Sequence, residues 1–187
     1  MLRPRNIIFL IIVLLAFLLY YNDANYSQTV IGAIQNAEVS YAKIIHIKEI
    51  KDVAIVFYET KENNFGFCYI KKNFLGWYWV SDGGGLISIN TPQSWTYSNR
   101  KIGKNSYPVC FGCVSNDTIQ NVYYIIINLK DGAKIINKAS AEIIHEYTPA
   151  KLWYVLLGEA DLQFKYAEVT FEGSDSAVVS LYVNNYP

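Results

Sequence analysis

The chain opens on an uninterrupted apolar run from Ile7 to Tyr21, preceded by Arg3, Pro4 and Arg5. As a helix that run covers roughly 22 Å against about 30 Å of membrane hydrocarbon, and snorkelling Arg5 with interfacial Tyr20 and Tyr21 makes up the difference. The pattern predicts a membrane anchor over residues 1–21, with the membrane as partner through residues 7–21. A cleavable signal peptide has the same charged start and apolar middle, but its best cut, after Ala24, has Asn22 where a small residue is required. Arg3 and Arg5 precede the run and Asp23 is the first ionised residue after it. The positive-inside bias then leaves the N-terminus in the cytoplasm and everything from Asn22 outside, a single-pass cell-membrane protein with an extracytoplasmic C-terminal domain.

Beyond the anchor the period of apolar residues changes twice. Val30, Ile31 and Ile34 share one face at helical spacing, so a short helix capped by Ser27 is expected to run through Ala37. From Val39 the period becomes two. Ile45 and Ile47 alternate with polar neighbours, and Val53, Ile55 and Phe57 alternate with Ala54, Val56 and Tyr58. Further strands are expected over Phe65 to Lys72 and Trp77 to Val80. Polar turns this short allow only an antiparallel meander, since a parallel pair needs a crossover of a dozen or more residues. Residues 22–90 therefore read as a short helix plus an antiparallel sheet.

Residues 91–108 carry two Pro, a Gly and several Ser and Asn, the composition of a loop or boundary, although Trp95 and Tyr97 inside it suggest that part of it pairs or packs. After it come strand patterns at Val109 to Val114, Ile119 to Leu129, Ala133 to Lys138, Glu142 to Tyr147, Leu152 to Leu157, Phe164 to Phe171 and Ala177 to Val183. Such close spacing suits a β-sandwich-like region over 109–187, with or without a core shared with 22–90. Val122 to Ile127 is apolar on both faces, as a central strand is. The expected fold class is mainly β: an N-terminal membrane helix, a short helix plus antiparallel β-meander, then the sandwich-like region.

Charge narrows the partners. The chain has 16 basic and 16 acidic residues, and removing Arg3 and Arg5 with the anchor leaves a slightly acidic domain. That gives no electrostatic footprint for nucleic acid. Arg occurs only at positions 3, 5 and 100, while Ile, Asn, Lys and Tyr abound, a bias that points to AT-rich codons.

The motifs that could carry chemistry fit it poorly. Cys110-Phe111-Gly112-Cys113 is followed by a strand and not by the helix N-terminus that activates a redox thiol. In an extended strand these two thiols point to opposite faces, and a bond from either to Cys68 is open, as are three buried free thiols. Ser81-Asp82-Gly83-Gly84-Gly85 lacks the Lys and Ser/Thr of a phosphate loop and reads as a turn. His46 and His145 lie in strand-like segments as solvent-facing residues, without helical metal spacing, and Glu146 beside His145 forms no acid/base pair. No catalytic, cofactor-binding or metal-binding residue is assigned, and no enzyme is expected. Gly76-Trp77-Tyr78-Trp79 stands apart: an aromatic strand next to a glycine-rich loop is either core or a surface on which a glycan or an envelope protein stacks. Trp77, Tyr78 and Trp79 are thus the possible binding surface.

The segments Val53-Ala54-Ile55-Val56-Phe57-Tyr58-Glu59, Leu75-Gly76-Trp77, and Cys110-Phe111-Gly112-Cys113-Val114 leading to Asp117-Thr118-Ile119-Gln120-Asn121-Val122 also carry a resemblance. Their order resembles small single-anchor extracytoplasmic proteins of unknown function from low-GC Gram-positive bacteria. The resemblance implies location and architecture, with no catalytic residues. Together these readings point to a membrane-anchored extracytoplasmic binding or interaction module at the cell envelope. The alternative is a cell-envelope hydrolase or hydrolase inhibitor with a loop-built site.

Overall fold

The computed structural model describes residues 4–23, 26–88, 94–114, 119–130, 133–144, 150–158, 166–173 and 179–184. Helix α1 spans Pro4–Asp23 and helix α2 Val30–Asn36. The strands, in chain order, are β1 (Lys43–Ile50), β2 (Val53–Glu59), β3 (Asn64–Asn73), β4 (Gly76–Asp82), β5 (Ile87–Ser88), β6 (Ser94–Ile102) and β7 (Asn105–Val114). They continue with β8 (Ile119–Lys130), β9 (Ala133–Ser140), β10 (Glu142–Ile144), β11 (Lys151–Leu156), β12 (Tyr166–Gly173) and β13 (Val179–Asn184). The fold is mainly β and antiparallel.

The described side chains of α1, residues 6–18, form an exposed apolar column about 20 Å long. Among the described residues no helix is long and apolar enough to cross a membrane. The helical backbone does run past both ends of that column.

The first sheet is the expected meander, β1-β2-β3-β4, and β5 pairs with the start of β3 where β4 no longer reaches it. Strand β2 is buried on both faces. Val53, Ile55 and Phe57 face one hydrophobic cluster, while Ala54, Val56 and Tyr58 face another built with Val30, Ala33 and Ile34 of α2. The helix is shorter than expected because Thr29 caps it, its Oγ1 accepting from the Gly32 amide at 3.1 Å, while Ser27 Oγ accepts from the Thr29 amide at 3.2 Å. Ile31, placed by spacing on the packed face, is exposed, and Ala33 takes its place.

Ile45 and Ile47 do not share a face. A β-bulge between Ile44 and His46 gives β1 one extra residue, so Ile45 packs on the sandwich core and Ile47 on the α2 side. The bulge also turns His46 toward the core edge, against the solvent-facing position expected of it.

Residues 91–108 are not simply a loop. Polar strand β6 occupies 94–102 and joins β7 through a two-residue turn at Gly103-Lys104. Pro108 is tolerated inside β7 because it sits where pairing with β11 ends, and its carbonyl still accepts from the Leu157 amide at 3.0 Å. The second sheet, β10-β11-β7-β6, lies against the first. One core therefore joins the two halves of the chain: Phe57, Phe67 and Tyr69 from the first sheet meet Phe111, Leu152 and Tyr154 from the second. The second sheet thus packs one of its faces on the N-terminal meander.

Those remaining strands form a third sheet, β13-β12-β8-β9, with β8 inside it as its two-sided apolar pattern implies. It meets the outer face of the second sheet at Val122 and Ala139, beside Trp153, Cys110 and Val155. Cys68, Cys110 and Cys113 are all buried thiols, none of them in a disulfide. Cys113 faces the sandwich core and Cys110 the opposite cluster, as expected of thiols three apart on one strand.

Candidate functional site

The aromatic strand singled out by the sequence divides its side chains between core and surface. Trp77 is buried in the α2 cluster with Lys72 Nζ 5.4 Å from its ring centre, and Tyr78 meets Tyr26 edge-on at 5.2 Å. Trp79 keeps 36 % of its surface exposed. It lines a cleft of about 520 Å³ on the α2 side of the first sheet, together with Tyr58, Glu38, Glu62 and Asp82.

Five local structures build that cleft. A bulge in β4 comes first: Ile70 pairs with Trp79 but Tyr69 pairs with Ser81, leaving Val80 extra. Three residues apart on a regular strand, Trp79 and Asp82 would point to opposite faces; the bulge puts both beside the α2 cluster, opposite Ile70 and Cys68. Tyr58 comes from β2, its ring lying over Gly66, where an added Cβ would be 3.1 Å from the Tyr58 hydroxyl and 2.8 Å from Leu86 Cδ2. Burial first, then the nearby Asp82 charge, pushes the pKa of its hydroxyl far above the usual phenol value. Burial, with Asp82 second, likewise pushes the Cys68 thiol up to about 12.

Glu62 is held by the β2–β3 turn. Thr60 is buried, and its Oγ1 accepts from the amides of Glu62 and Asn64, both at 3.3 Å, while its own amide donates to the Asn64 carbonyl at 2.8 Å. Glu38 follows the C-cap of α2 in the left-handed region, φ 55°, and its amide donates to the Gln35 carbonyl at 3.2 Å. Glycine is the residue usually found at that position, and a side chain there costs about 1 kcal/mol of backbone energy.

The glycine-rich loop is a turn, as read from the sequence, and it closes the cleft's far side. Gly83 leaves room for the Phe67 ring, which an added Cβ would meet at 2.1 Å, and Gly84 takes φ 138°. Asp82, read there only as part of a turn, ends β4 and enters the cleft.

A second polar group lies where edge strands β1 and β10 close one side of the sandwich. Lys48 Nζ donates to Glu142 Oε2 at 2.9 Å, and His46 Nε2 is 3.6 Å from Glu142 Oε1 and 3.3 Å from the Tyr154 hydroxyl. The Tyr154 hydroxyl donates to Glu142, which with Lys48 and His46 holds that carboxyl below its usual pKa. These residues clasp the two sheets together, and their mutual satisfaction leaves little chemistry over. His145 and Glu146 lie outside the described residues. An apolar hollow of about 300 Å³ lined by Ile50, Ile55, Pro108 and Leu156 lacks the convergent polar groups of a specific site.

Sequence reasoning reached Trp79 but missed Tyr58, Glu38 and Glu62, which converge from β2, the end of α2 and a turn. Comparison with family models, curated proteins and solved structures finds no match for this chain.

Proposed function

We propose that this protein is a membrane-tethered, extracytoplasmic binding module whose site is the cleft beside Trp79. The indole of Trp79, about a third exposed at the mouth of the cleft, carries the reading. An aromatic surface of that size is normally buried, and where it stays open with polar groups around it, stacking against a ligand is its usual use.

The tether is supported by α1. Its helical backbone carries the apolar run of Ile7 to Tyr21, roughly 22 Å long, and continues through polar residues at both ends, where Arg5 can snorkel to make up the rest of the hydrocarbon layer. Ile7, Ile8, Phe9, Leu10, Phe17 and Leu18 are each about half exposed or more. Such a surface is unfavourable in water and at home in lipid. Arg3 and Arg5 at one end and Asp23 at the other favour a cytoplasmic N-terminus.

Two experiments test this. Cell fractionation with an alkaline wash should leave the full chain in the membrane pellet, and removal of Ile7 to Leu18 should release it; recovery of the intact chain in the soluble fraction would refute the tether. Capture of cross-linked envelope components should depend on Trp79, so a Trp79→Ala chain that retains the same set as wild type would remove the cleft as the site.

A further inference from the structure

We infer that the cleft takes a ligand bearing an alkylammonium group, an inference that rests on reading this cleft as the binding site and adds the sign of its ligand. Three of the residues lining it, Glu38, Glu62 and Asp82, are acidic, and among the described lining residues none is basic. An anion would be repelled by this wall. A neutral sugar would stack on Trp79 but make no use of the negative charge that Glu38, Glu62 and Asp82 place around it.

The aromatic residues decide what form the cation takes. Among the described residues no group of His, Cys, Asp and Glu side chains comes together as metal ligands. A compact, strongly hydrated metal ion would also gain nothing from the indole of Trp79. An alkylated ammonium, quaternary or primary, uses both parts of the wall: its carbon shell packs on the indole face while its spread charge faces the ring and the carboxylates. Tyr58, nearly fully buried, backs the cleft and gives it a firm floor behind the exposed indole. Glu38 sits in a strained left-handed position where glycine is easier, which places its carboxylate beside the same opening.

The test uses the full chain in a maltoside detergent, which carries no ammonium group. Choline and butylammonium are titrated against 3,3-dimethyl-1-butanol, the neutral isostere of choline, by calorimetry and by tryptophan fluorescence. Choline or butylammonium should bind about tenfold or more tighter than the isostere, about 1.4 kcal/mol. Raising the salt concentration should weaken binding, as expected of partly exposed charges. Trp79→Ala should abolish it, Trp79→Phe should restore part of it, and the double change Glu38→Gln with Glu62→Gln should lower it severalfold at unchanged melting temperature.

Equal binding of choline and its isostere, both lost in Trp79→Ala, would overturn the ammonium assignment while leaving the cleft as a binding site. Saturation by neither ammonium probe would also overturn it; the Trp79-dependent capture of envelope components then decides separately whether the cleft binds anything. A preference of butylammonium over choline would support the inference and point to a primary amine; the reverse order would support it and point to a quaternary head group.

Discussion

Replacing Phe57 with alanine is the sharpest test of whether both halves of the chain share one core. Phe57 is fully buried on β2, with ring centres of Phe67 at 5.7 Å in its own sheet and of Phe111 and Tyr154 at 5.2 Å and 4.6 Å in the opposite one. Burial of a phenyl ring and the cavity left by its removal account for about 3–5 kcal/mol. The two inter-sheet ring contacts put Phe57 at the upper part of that range, about 4 kcal/mol, since each aromatic pair adds about 0.5–1.5 kcal/mol beyond its area. For a domain of this size that loss lowers the melting temperature by roughly 8–16 °C. Phe57→Leu, which keeps most of the volume, should lose about 1–1.5 kcal/mol. Urea and thermal unfolding of the wild type should each give one transition by near- and far-ultraviolet circular dichroism. A loss under about 2 kcal/mol, or two separate transitions of which only one moves, would refute a common core.

Three further outcomes follow from the geometry. Glu142 is held below the usual carboxyl value, so its contribution is present above pH about 4.5 and is lost as pH falls through the lowered value; Glu142→Gln should cost about 1 kcal/mol at pH 7 and nothing at pH 2, read by urea unfolding across pH. With all three thiols buried and Cys68 pushed up to about 12, a disulfide-exchange reagent at pH 8 should label none in the native protein and all three in denaturant; rapid native labelling would contradict the packing. Glu38→Gly should raise stability by about 0.5–1 kcal/mol by relieving the left-handed backbone, while weakening choline binding; a melting temperature that falls would show the carboxylate itself holds the end of α2.

Much of the sheet structure was legible because burial imposes a simple period. Val53, Ile55 and Phe57 against Ala54, Val56 and Tyr58 announced a two-sided strand, and the seven strand patterns after residue 108 each form a strand. Their grouping was not legible. Strands β7, β10 and β11 turn toward the N-terminal meander while β8, β9, β12 and β13 pair among themselves, and such long-range choices leave no local pattern. Strand β6 was only half visible: Trp95 and Tyr97 hinted that part of the segment packs, but as an edge strand its Ser94, Thr96 and Asn99 pair on one side alone and look like loop residues. Bulges defeated the face assignments: one extra residue at Ile45 parted it from Ile47, and another at Val80 united Trp79 with Asp82. The candidate site was half visible for the same reason. An aromatic cluster can be read from four adjacent letters, whereas Glu38, Tyr58 and Glu62 meet Trp79 only after a helix ends, a turn closes and a strand bends.

The bridge that fastens Ser27 to Trp77 has a mechanical meaning. Ser27 donates its amide to the Trp77 carbonyl at 2.8 Å and accepts from the Trp77 amide at 2.7 Å, and Gly76 allows this approach because a Cβ there would lie 2.5 Å from the Ser27 carbonyl oxygen. Ser27 opens the segment that leads into α2, so the bridge staples that segment to the first sheet two residues from Trp79. A pull on the start of that segment loads both paired hydrogen bonds at once before any turn there can slacken.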